Sequence, residues 1–417
     1  MISKLIKNCR ILENGKLSEK NIFIEDCRIA EISDEIITAE EVIDAKGLIV
    51  LPGMIDCHVH CREPGMTHKE DFLTASKAAA AGGVTTIIDM PNTKPPTTTI
   101  ELLEQKRELA KKSVVNYGFH FGAAMDNLNQ IRHANNIASA KIYMNETTGS
   151  MVMNDDSWIR KIFENSKRVS VHAEKEMVEK AVGFIRDTKN KLYLCHISRE
   201  SEINHLRRHK LKNKVFVEAT PHHLFLAEND KARLGNLALM KPELGTRQDQ
   251  SALWDALSKG IIDTIGSDHA PHTIEDKKEP VFGVPGLETT MPLLLDAVNK
   301  KRLDLQKVVE LTAENPARIF SIKNKGYIMQ GYDADLMFIN LELEKEIRNE
   351  NLFTKCGWSP FNGFKLKGWP VMTMVSGNLI YKDNEVNEGV KGKEAIFQDE
   401  KRHSKVIAES EGSEPQA

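Results

Sequence analysis

The sequence predicts an α/β protein, a (β/α)8 barrel of the TIM type with a small β-sandwich domain formed by both chain ends. Three observations support this fold class. Short strands and helical patterns alternate eight times through the middle of the chain, strand-and-turn patterns occupy both ends, and 417 residues exceed one ordinary domain. We expect a small β domain over residues 1–51 and 327–397, a metal-dependent barrel over 52–326, and a flexible tail over 398–417.

The two chain ends resemble each other in pattern. The N-terminal runs KLIKNCRIL, NIFIEDCRIAEI and EVIDAKGLIVLPG have the apolar content and turn punctuation of short strands. The same character returns in GYDADLMFINLE and VMTMVSGNLIYKDNEV near the C-terminus. Pairing both groups in one domain is the simplest arrangement, whereas the polar residues from about 398 onward predict a flexible tail.

The central region contains eight candidate strands, most of them followed by a helical pattern, and two more helices near 304–312 and 315–320 close it. Parallel strands that alternate with helices indicate a closed barrel. The strands are IDCHVH (55–60), VTTIIDM (84–90), NYGFHFG (116–122), AKIYM (140–144), VSVHAE (169–174), LYLCHIS (192–198), VFVEAT (215–220) and DTIGSDH (263–269).

Composition limits the class of protein. A hydrophobic content of 41% permits a large core, while a net charge of −3 argues against a protein that coats nucleic acid or an anionic membrane. No apolar run reaches the ~20 residues that span a bilayer, and the N-terminus lacks the apolar centre of a signal peptide. Six cysteines without a CxxC pair suit reduced thiols. These features predict a cytoplasmic enzyme with a small-molecule substrate and no nucleic-acid or membrane partner.

Metal-binding residue types occur where the predicted strands end. His58 and His60 alternate on the first strand, so their side chains project from the same face. Other strand ends carry His172, His196 and Asp268. The carboxyl ends of barrel strands converge on one mouth, which is where barrel enzymes keep their active sites. Four histidines and an aspartate there predict a site of nitrogen and oxygen ligands suited to Zn²⁺.

Lys141, on the fourth strand, has two interpretations. Taken locally, it is a lysine at a strand end with its ammonium in water. Two divalent ions that share a hydroxide would, however, need an anionic bridge, and the fourth strand offers Lys141 instead of a carboxylate. A protonated lysine has only donors and cannot bind a metal, whereas lysine carboxylated by CO₂ is an oxygen ligand. In this setting we favour a carboxylated Lys141 that bridges two zinc ions.

Nine segments resemble the cyclic amidohydrolases and, among them, the lysine-bearing dihydroorotases, over residues 5–380. They are GMIDCHVHCREPGMTHKEDF (53–72), GGVTTIIDMPNTKPPT (82–97), AKIYMNET (140–147), VHAE (171–174), CHIS (195–198), EATPHHLFL (218–226), PELGTRQD (242–249), SDHAPHT (267–273) and VPGLETTMPLLL (284–295). The resemblance implies a metal-bearing barrel with a small β domain. It also implies a dinuclear zinc centre with a bridging hydroxide, held by His58, His60, carboxylated Lys141, His172, His196 and Asp268.

The resemblance also implies substrate contacts. Arg62, Asn92 and His272 match positions that grip the substrate carboxylate in the family, and an arginine fork suits that role. Taken singly, Arg62 could form a salt bridge at the rim, Asn92 could cap a turn and His272 could be an ordinary loop histidine. The backbone of Phe282 and Gly283 is expected to approach a pyrimidine ring.

Two departures from the family pattern limit the carry-over. Lys241 stands where animal relatives have arginine and many bacterial ones asparagine, so its role as a substrate contact is open. Some animal relatives bind a third zinc through a cysteine, a glutamate and an aspartate. Cys195 and Glu218 match the first two positions, but Asn116 replaces the aspartate, so we do not predict a third metal.

The implied reaction is the reversible cyclisation of N-carbamoyl-L-aspartate to L-dihydroorotate plus water in pyrimidine (UMP) synthesis, with Asp268 as the proton-transfer residue. The main alternative is an allantoinase or hydantoinase, which usually lacks the histidine found here as His272. A non-catalytic scaffold is less favoured, because every expected ligand position is filled. A homodimer and an association with aspartate transcarbamoylase remain open.

Overall fold

The N-terminal end of the chain forms strands of a sheet that its C-terminal end completes. The structure, a computed structural model, describes residues 2–146, 151–186 and 188–398. Antiparallel pairing joins the first three strands, and the next two lie parallel to the first. These strands are β1 (Lys4–Glu13), β2 (Lys16–Glu25), β3 (Arg28–Ser33), β4 (Glu41–Asp44) and β5 (Ile49–Pro52).

The barrel wall consists of parallel strands, nearly all of whose residues are buried, as expected for strands covered on both faces. Its strands are β6 (Met54–Val59), β7 (Val84–Asp89), β8 (Asn116–Phe119), β9 (Phe121–Gly122), β10 (Ala140–Tyr143), β11 (Arg168–His172), β12 (Lys191–Leu194), β13 (Val215–Ala219) and β14 (Thr264–Ile265). The predicted third strand is interrupted at His120, whose side chain hydrogen-bonds to Ser139 and to the Cys57 carbonyl. Counting β8 and β9 together gives the eight predicted strands.

Backbone hydrogen bonds close the barrel. The hydrogen-bonded strand order is β6–β7–β8 in one part and β9 through β14 in the other. Ala138 N–H donates to the Phe119 carbonyl at 2.8 Å and connects the two parts. His60 N–H donates to the His269 carbonyl, also at 2.8 Å, and joins the first strand to the segment after the last. The predicted (β/α)8 architecture is therefore confirmed.

Helices surround the wall, and several begin at residues that cap them. The Asp71 side chain accepts from Leu73 N–H and Thr74 N–H, and Asp155 and Thr246 cap later helices in the same way. The α-helices in the described ranges are α1 (Phe72–Ala81), α2 (Ile100–Ala110), α3 (Leu128–His133), α4 (Asp156–Asn165), α5 (Glu176–Ile185), α6 (Glu200–His209), α7 (Pro221–Phe225), α8 (Lys231–Leu234), α9 (Arg247–Ser258), α10 (Thr290–Asn299), α11 (Leu305–Val309) and α12 (Asn315–Phe320). Among the described residues, none of these helices is long and apolar enough to cross a membrane.

The C-terminal strands complete the terminal sheet, which contains nine strands. They are β15 (Leu336–Glu346), β16 (Lys365–Val375), β17 (Asn378–Lys382) and β18 (Glu385–Val386), and β15 pairs with β5. The sheet folds back on itself, because Arg28 on the edge strand β3 pairs with Asp333, just before β15. Apolar side chains from both chain ends share one core there, including Ile24, Val50 and Phe338.

The segment after β18 returns to the barrel. Ala395 N–H donates to the Tyr117 carbonyl at 2.7 Å, and Gln398 N–H donates to the Ser321 carbonyl at 2.8 Å. The division of the chain at residues 51 and 327 remains a prediction. The tail predicted over residues 398–417 lies, apart from Gln398, outside the described residues.

Candidate active site

The predicted site residues converge on one cavity of about 380 Å³ at the carboxyl ends of the barrel strands. All six predicted metal ligands and five of the six predicted substrate contacts line it. These are His58, His60, Arg62, Asn92, Lys141, His172, His196, Lys241, Asp268, Phe282 and Gly283. Tyr143 and Ala270 complete the lining.

Two histidines and the aspartate form one half of the cavity floor. His58 Nε2 and His60 Nε2 lie 3.2 and 3.1 Å from Asp268 Oδ1. Their Nδ1 atoms are held from behind, His58 by Glu218 Oε1 at 2.8 Å and His60 by Asn92 Oδ1 at 2.7 Å. Hydrogen bonds of this kind fix which ring nitrogen faces the cavity, as they do for metal-binding histidines.

The other half contains His172 and His196. His172 Nδ1 lies 2.8 Å from His196 Nε2, and both rings are buried. Burial lowers the pKa of these two imidazoles and also those of His58 and His60. The four rings are therefore neutral near pH 7, which is the protonation state that a metal requires.

Several of these residues lie outside regular strand geometry. The structure ends β12 at Leu194 and β14 at Ile265, so His196 and Asp268 follow their strands instead of belonging to them. His196, Asp268 and Arg62 have φ angles of +37°, +45° and +63°. Left-handed backbone is uncommon outside glycine and clusters at functional sites. The predicted extents of the sixth and eighth strands were too long for this reason.

Lys141 is buried completely and has no solvent contact, so its interpretation as a solvated lysine is wrong. Its Nζ lies 2.9 Å from Cys195 Sγ and 5.1 Å from the centre of the Tyr143 ring. Burial raises the pKa of Cys195 to about 12, so the thiol brings no negative charge. Among the described residues, no carboxylate lies within 4 Å of the Lys141 ammonium.

Arg62 is the second buried cation of the cavity. Its Nε donates to the Pro271 carbonyl at 3.1 Å, and its Nη2 lies 3.2 Å from His272 Nε2. Within the described ranges no carboxylate oxygen approaches the guanidinium to 4 Å, so the predicted alternative of a salt bridge at the rim is absent there. A buried guanidinium on a cavity wall without an anion is suited to a ligand carboxylate.

His272 lies behind Arg62 and does not line the cavity. Lys69 Nζ lies 3.0 Å from its Nδ1, and its Nε2 lies 3.0 Å from the Phe282 carbonyl. Because a lysine ammonium only donates, Nδ1 accepts and Nε2 carries the proton. Burial, followed by the charges of Arg62 and Lys69, lowers the pKa of His272 to about 2. Its predicted contact with a substrate carboxylate stays a prediction.

Glycine is required at position 283. Its φ is +138°, and a Cβ there would lie 2.4 Å from the Ala270 carbonyl oxygen. Its N–H donates to the Leu239 carbonyl at 2.9 Å. The neighbouring Phe282 ring stacks under Lys241 Nζ at 4.9 Å from its centre. The backbone of Phe282 and Gly283, which is predicted to approach a pyrimidine ring, is therefore fixed in position.

Cys195 and Glu218 pack and hydrogen-bond behind the site. Glu218 accepts from Tyr193 hydroxyl and His196 N–H, and burial raises its pKa to about 7. Ligand atoms of His58, Cys195 and Glu218 lie within 4.8 Å of one another. Asn116 lies at the start of β8, the end opposite the mouth, where its amide donates to Asp335.

Tyr143 was missed by the sequence analysis. Its hydroxyl is buried and has no hydrogen-bond partner among the described atoms. It follows Lys141 by two residues, so strand alternation places both side chains on the same face. That signal was present in the sequence, whereas nothing local distinguished Ala270.

The comparisons with known proteins agree with this geometry. The model of the amidohydrolase family matches residues 49–380. The chain belongs to the amidohydrolase family. It is 37% identical to a dihydroorotase of Methanosphaera stadtmanae over 93% of this chain and 98% of that protein. It is 36% identical to a dihydroorotase of Pyrococcus abyssi over 90% and 95% of the two chains.

A larger relative and several solved structures are also similar. The multifunctional protein CAD of Squalus acanthias is 36% identical over 88% of this chain, which corresponds to 16% of that protein. An L-hydantoinase from Arthrobacter aurescens superposes with a TM-score of 0.90 at 28% identity, covering 95% of this chain and all of that one. A D-hydantoinase from Thermus has a TM-score of 0.85 at 26% identity, with coverage of 94% and 99%.

Proposed function

We propose that this protein is a dihydroorotase that interconverts L-dihydroorotate and N-carbamoyl-L-aspartate, the ring-closing step of pyrimidine synthesis. The observation that carries the proposal is Arg62, a buried guanidinium with no carboxylate of the described residues within 4 Å, on the wall of a histidine-rich cavity. Both the ring substrate and its open form carry a carboxylate that such a group would bind. Relatives that bear this name cover about nine-tenths of the chain.

The donor set fits two zinc ions. Four neutral imidazoles and the Asp268 carboxylate face one cavity, and nitrogen and carboxylate oxygen are ligands that zinc accepts. We propose His58, His60, Lys141, His172, His196 and Asp268 as the residues that hold them. When bound, the ions would acidify a water molecule and polarise the ring carbonyl.

Lys141 would join this set as a carbamate. The ammonium first loses one proton, the neutral Nζ then forms a bond to the carbon of CO₂ and loses a second proton, and the product carries one negative charge on two oxygens. The burial of Lys141 and the absence of a carboxylate within 4 Å in the described residues support this assignment. Without the modification, a buried ammonium would face four imidazoles, with no carboxylate of the described residues within 4 Å of it.

Asp268 is the catalytic residue of the proposal. In ring opening, water attacks the ring carbonyl carbon, Asp268 accepts a proton from that water, and the carbon–nitrogen bond breaks. Asp268 then donates the proton to the leaving ring nitrogen. Ring closure reverses these steps, so the ureido nitrogen attacks the side-chain carboxylate of carbamoyl aspartate and water leaves.

The substrate would lie between the floor of the cavity and its wall. Arg62 and Asn92 would hold the substrate carboxylate, and His272 would lie behind Arg62. Phe282, Gly283 and Lys241 would form the wall beside the ring.

A hydantoinase or allantoinase is the alternative, and the fold comparison with hydantoinases favours it more than any residue does. Hydantoin and allantoin carry no carboxylate, so they would leave Arg62 without an anion. The test is hydrolysis of L-dihydroorotate, hydantoin and allantoin by protein purified with zinc and bicarbonate. Turnover of dihydroorotate alone is expected, and turnover of only the other two would defeat the proposal.

Metal analysis of the same preparation separates an enzyme from a non-catalytic scaffold. We expect two zinc ions per chain, and a preparation without zinc would favour the scaffold. We also propose a cytoplasmic location, a homodimer and association with aspartate transcarbamoylase, which can be tested by fractionation, by the mass in solution and by co-purification.

A further inference from the structure

Lys277 is buried, although its sequence neighbours are exposed. It lies in the charged run IEDKKEP, in a short 3₁₀ turn. Its exposed fraction is 3%, whereas the adjacent side chains of Lys278 and Glu275 are 66% and 79% exposed. Its Nζ donates to the carbonyls of Leu239 at 2.8 Å and Val281 at 3.0 Å, and lies 5.6 Å from the centre of the buried Trp358 ring.

The two carbonyls belong to the segments that form one wall of the active-site cavity. Leu239 precedes Lys241 by two residues, and Val281 immediately precedes Phe282 and Gly283. The Leu239 carbonyl also accepts from Gly283 N–H. The Lys277 ammonium therefore ties both segments together at the point where they meet the substrate.

The charge of Lys277 also bears on the substrate. No carboxylate of the described residues lies within 4 Å of the Lys277 ammonium, and none lies within 4 Å of the Arg62 guanidinium. Lys69, which contacts His272, has Asp276 at 3.6 Å. Burial, together with the positive charges of Arg62 and Lys69, lowers the pKa of Lys277 to about 7. A cluster of cations that repel one another behind a cavity wall is stabilised when an anion binds there.

We propose that Lys277 is a positioning residue that makes the site selective for a ring substrate carrying a carboxylate. It fixes the wall formed by Leu239–Lys241 and Val281–Gly283, and it adds a buried positive charge behind the carboxylate subsite of Arg62. This inference rests on the proposed dihydroorotase function. The positive charge of Lys277 is a feature of that site from which a ring substrate without a carboxylate would gain nothing.

The test compares Lys277→Met with Lys278→Met, which makes the same chemical change at the exposed neighbour. In zinc-loaded protein, Lys277→Met is expected to raise the KM for dihydroorotate at least tenfold, with kcat within threefold of wild type and zinc content unchanged. Lys278→Met should change neither constant. An unchanged KM for Lys277→Met, or an equal loss of kcat and zinc, would overturn the inference.

A second variant, Lys277→Gln, tests the inference if Lys277→Met does not fold. Lys277→Gln keeps an N–H donor for the two carbonyls but lacks the charge, so the same rise in KM is expected; a wild-type KM would overturn the electrostatic role. Binding of orotate, an anionic analogue, separates the two proposals if wild-type protein fails to open dihydroorotate. Tight orotate binding that weakens tenfold in Lys277→Gln would then support the inference alone, and equal or absent binding would overturn it.

Discussion

Helix α2 and the mouth of the barrel each bury a lysine completely, and they treat its charge differently. On α2, Lys106 Nζ lies 2.6 Å from Asp89 Oδ2, at the end of β7, and 3.0 Å from the Met90 carbonyl. In the mouth, Lys141 Nζ contacts only the neutral Cys195 thiol and the Tyr143 ring among the described residues. A buried charge that has an opposite charge and hydrogen-bond partners is compatible with a purely structural role. A buried charge without them indicates a site at which a modification or a bound ligand supplies the missing partner.

The two regions are nevertheless connected. Asp89 Oδ1 accepts from Cys61 N–H at 2.7 Å, and Cys61 precedes Arg62. Met90, whose carbonyl accepts from Lys106, is two residues before Asn92. The ion pair of Lys106 and Asp89 therefore helps to hold two loops, and the residues that follow in these loops, Arg62 and Asn92, line the cavity.

The largest effect is expected for Lys141→Ala. Loss of the proposed carbamate should lower kcat by more than about 10³-fold and reduce bound zinc, because the two ions lose their anionic bridge. The melting temperature should change little, since no carboxylate loses its partner. Steady-state kinetics and metal analysis measure both effects, and added acetate or propionate should restore part of the activity. Full activity of Lys141→Ala would contradict the proposal that a carboxylated Lys141 bridges the two zinc ions.

Lys106→Met should show the opposite behaviour. Removing one partner leaves the Asp89 charge buried and unpaired, so the free energy of unfolding should fall by about 3–5 kcal/mol. Urea unfolding measures this change. The matched control is Lys111→Met at the C-terminal end of the same helix, where Lys111 and Glu108 are 62% and 69% exposed, and it should cost less than about 1 kcal/mol. Equal changes in the two variants would contradict the comparison.

Arg62→Met tests whether the unpaired guanidinium serves the substrate. We expect the KM for dihydroorotate to rise by about 30-fold, which corresponds to about 2 kcal/mol of lost binding, because the substrate carboxylate loses its charged partner. Zinc content should stay at the wild-type value. Arg208→Met, at an exposed position on α6, provides the control and should leave KM unchanged. Loss of zinc from Arg62→Met would show that this residue maintains the metal centre instead.

A pH dependence is expected from Glu218. Its pKa is raised to about 7 in the folded protein against about 4.5 in the unfolded chain. Between these values the folded state retains a proton that the unfolded state has lost, so stability falls as the pH rises from about 4.5 to 7. In metal-free protein, Glu218→Gln should remove up to about 1.4 kcal/mol per pH unit of that fall. Urea unfolding at pH 5 and pH 7 measures it, with exposed Glu350→Gln as the control, and an unchanged slope in Glu218→Gln would contradict the assignment.

The sequence was most informative where residue type and spacing act together. His58 and His60 share a strand face by alternation, Lys141 stands at the head of an apolar run, and His172 and Asp268 lie near the ends of predicted strands, so their convergence on one mouth follows from barrel geometry. Tyr143 could have been included by the same alternation. Strand lengths were less accurate, because the left-handed backbone at His196 and Asp268 has no local signal.

Charge environments were decided by contacts between distant parts of the chain. Lys277 lies in a run of charged residues that predicts a solvated surface, yet carbonyls from two separate segments enclose it. His272 was expected at the substrate and lies behind Arg62, because Lys69 and the Phe282 carbonyl hold its ring. Local pattern cannot report such partners, since residues up to 203 positions apart supply them.

The sequence by itself determined the barrel, the pairing of both chain ends and the residue types at the strand ends, because periodicity and residue chemistry are local properties. Tertiary structure alone decided which buried charges have partners. Lys106 meets Asp89, whereas Lys141 and Arg62 meet no carboxylate in the described part of the chain. The reason is physical: desolvation and pairing depend on what surrounds a group in space, and Lys141 and Arg62 both line the cavity.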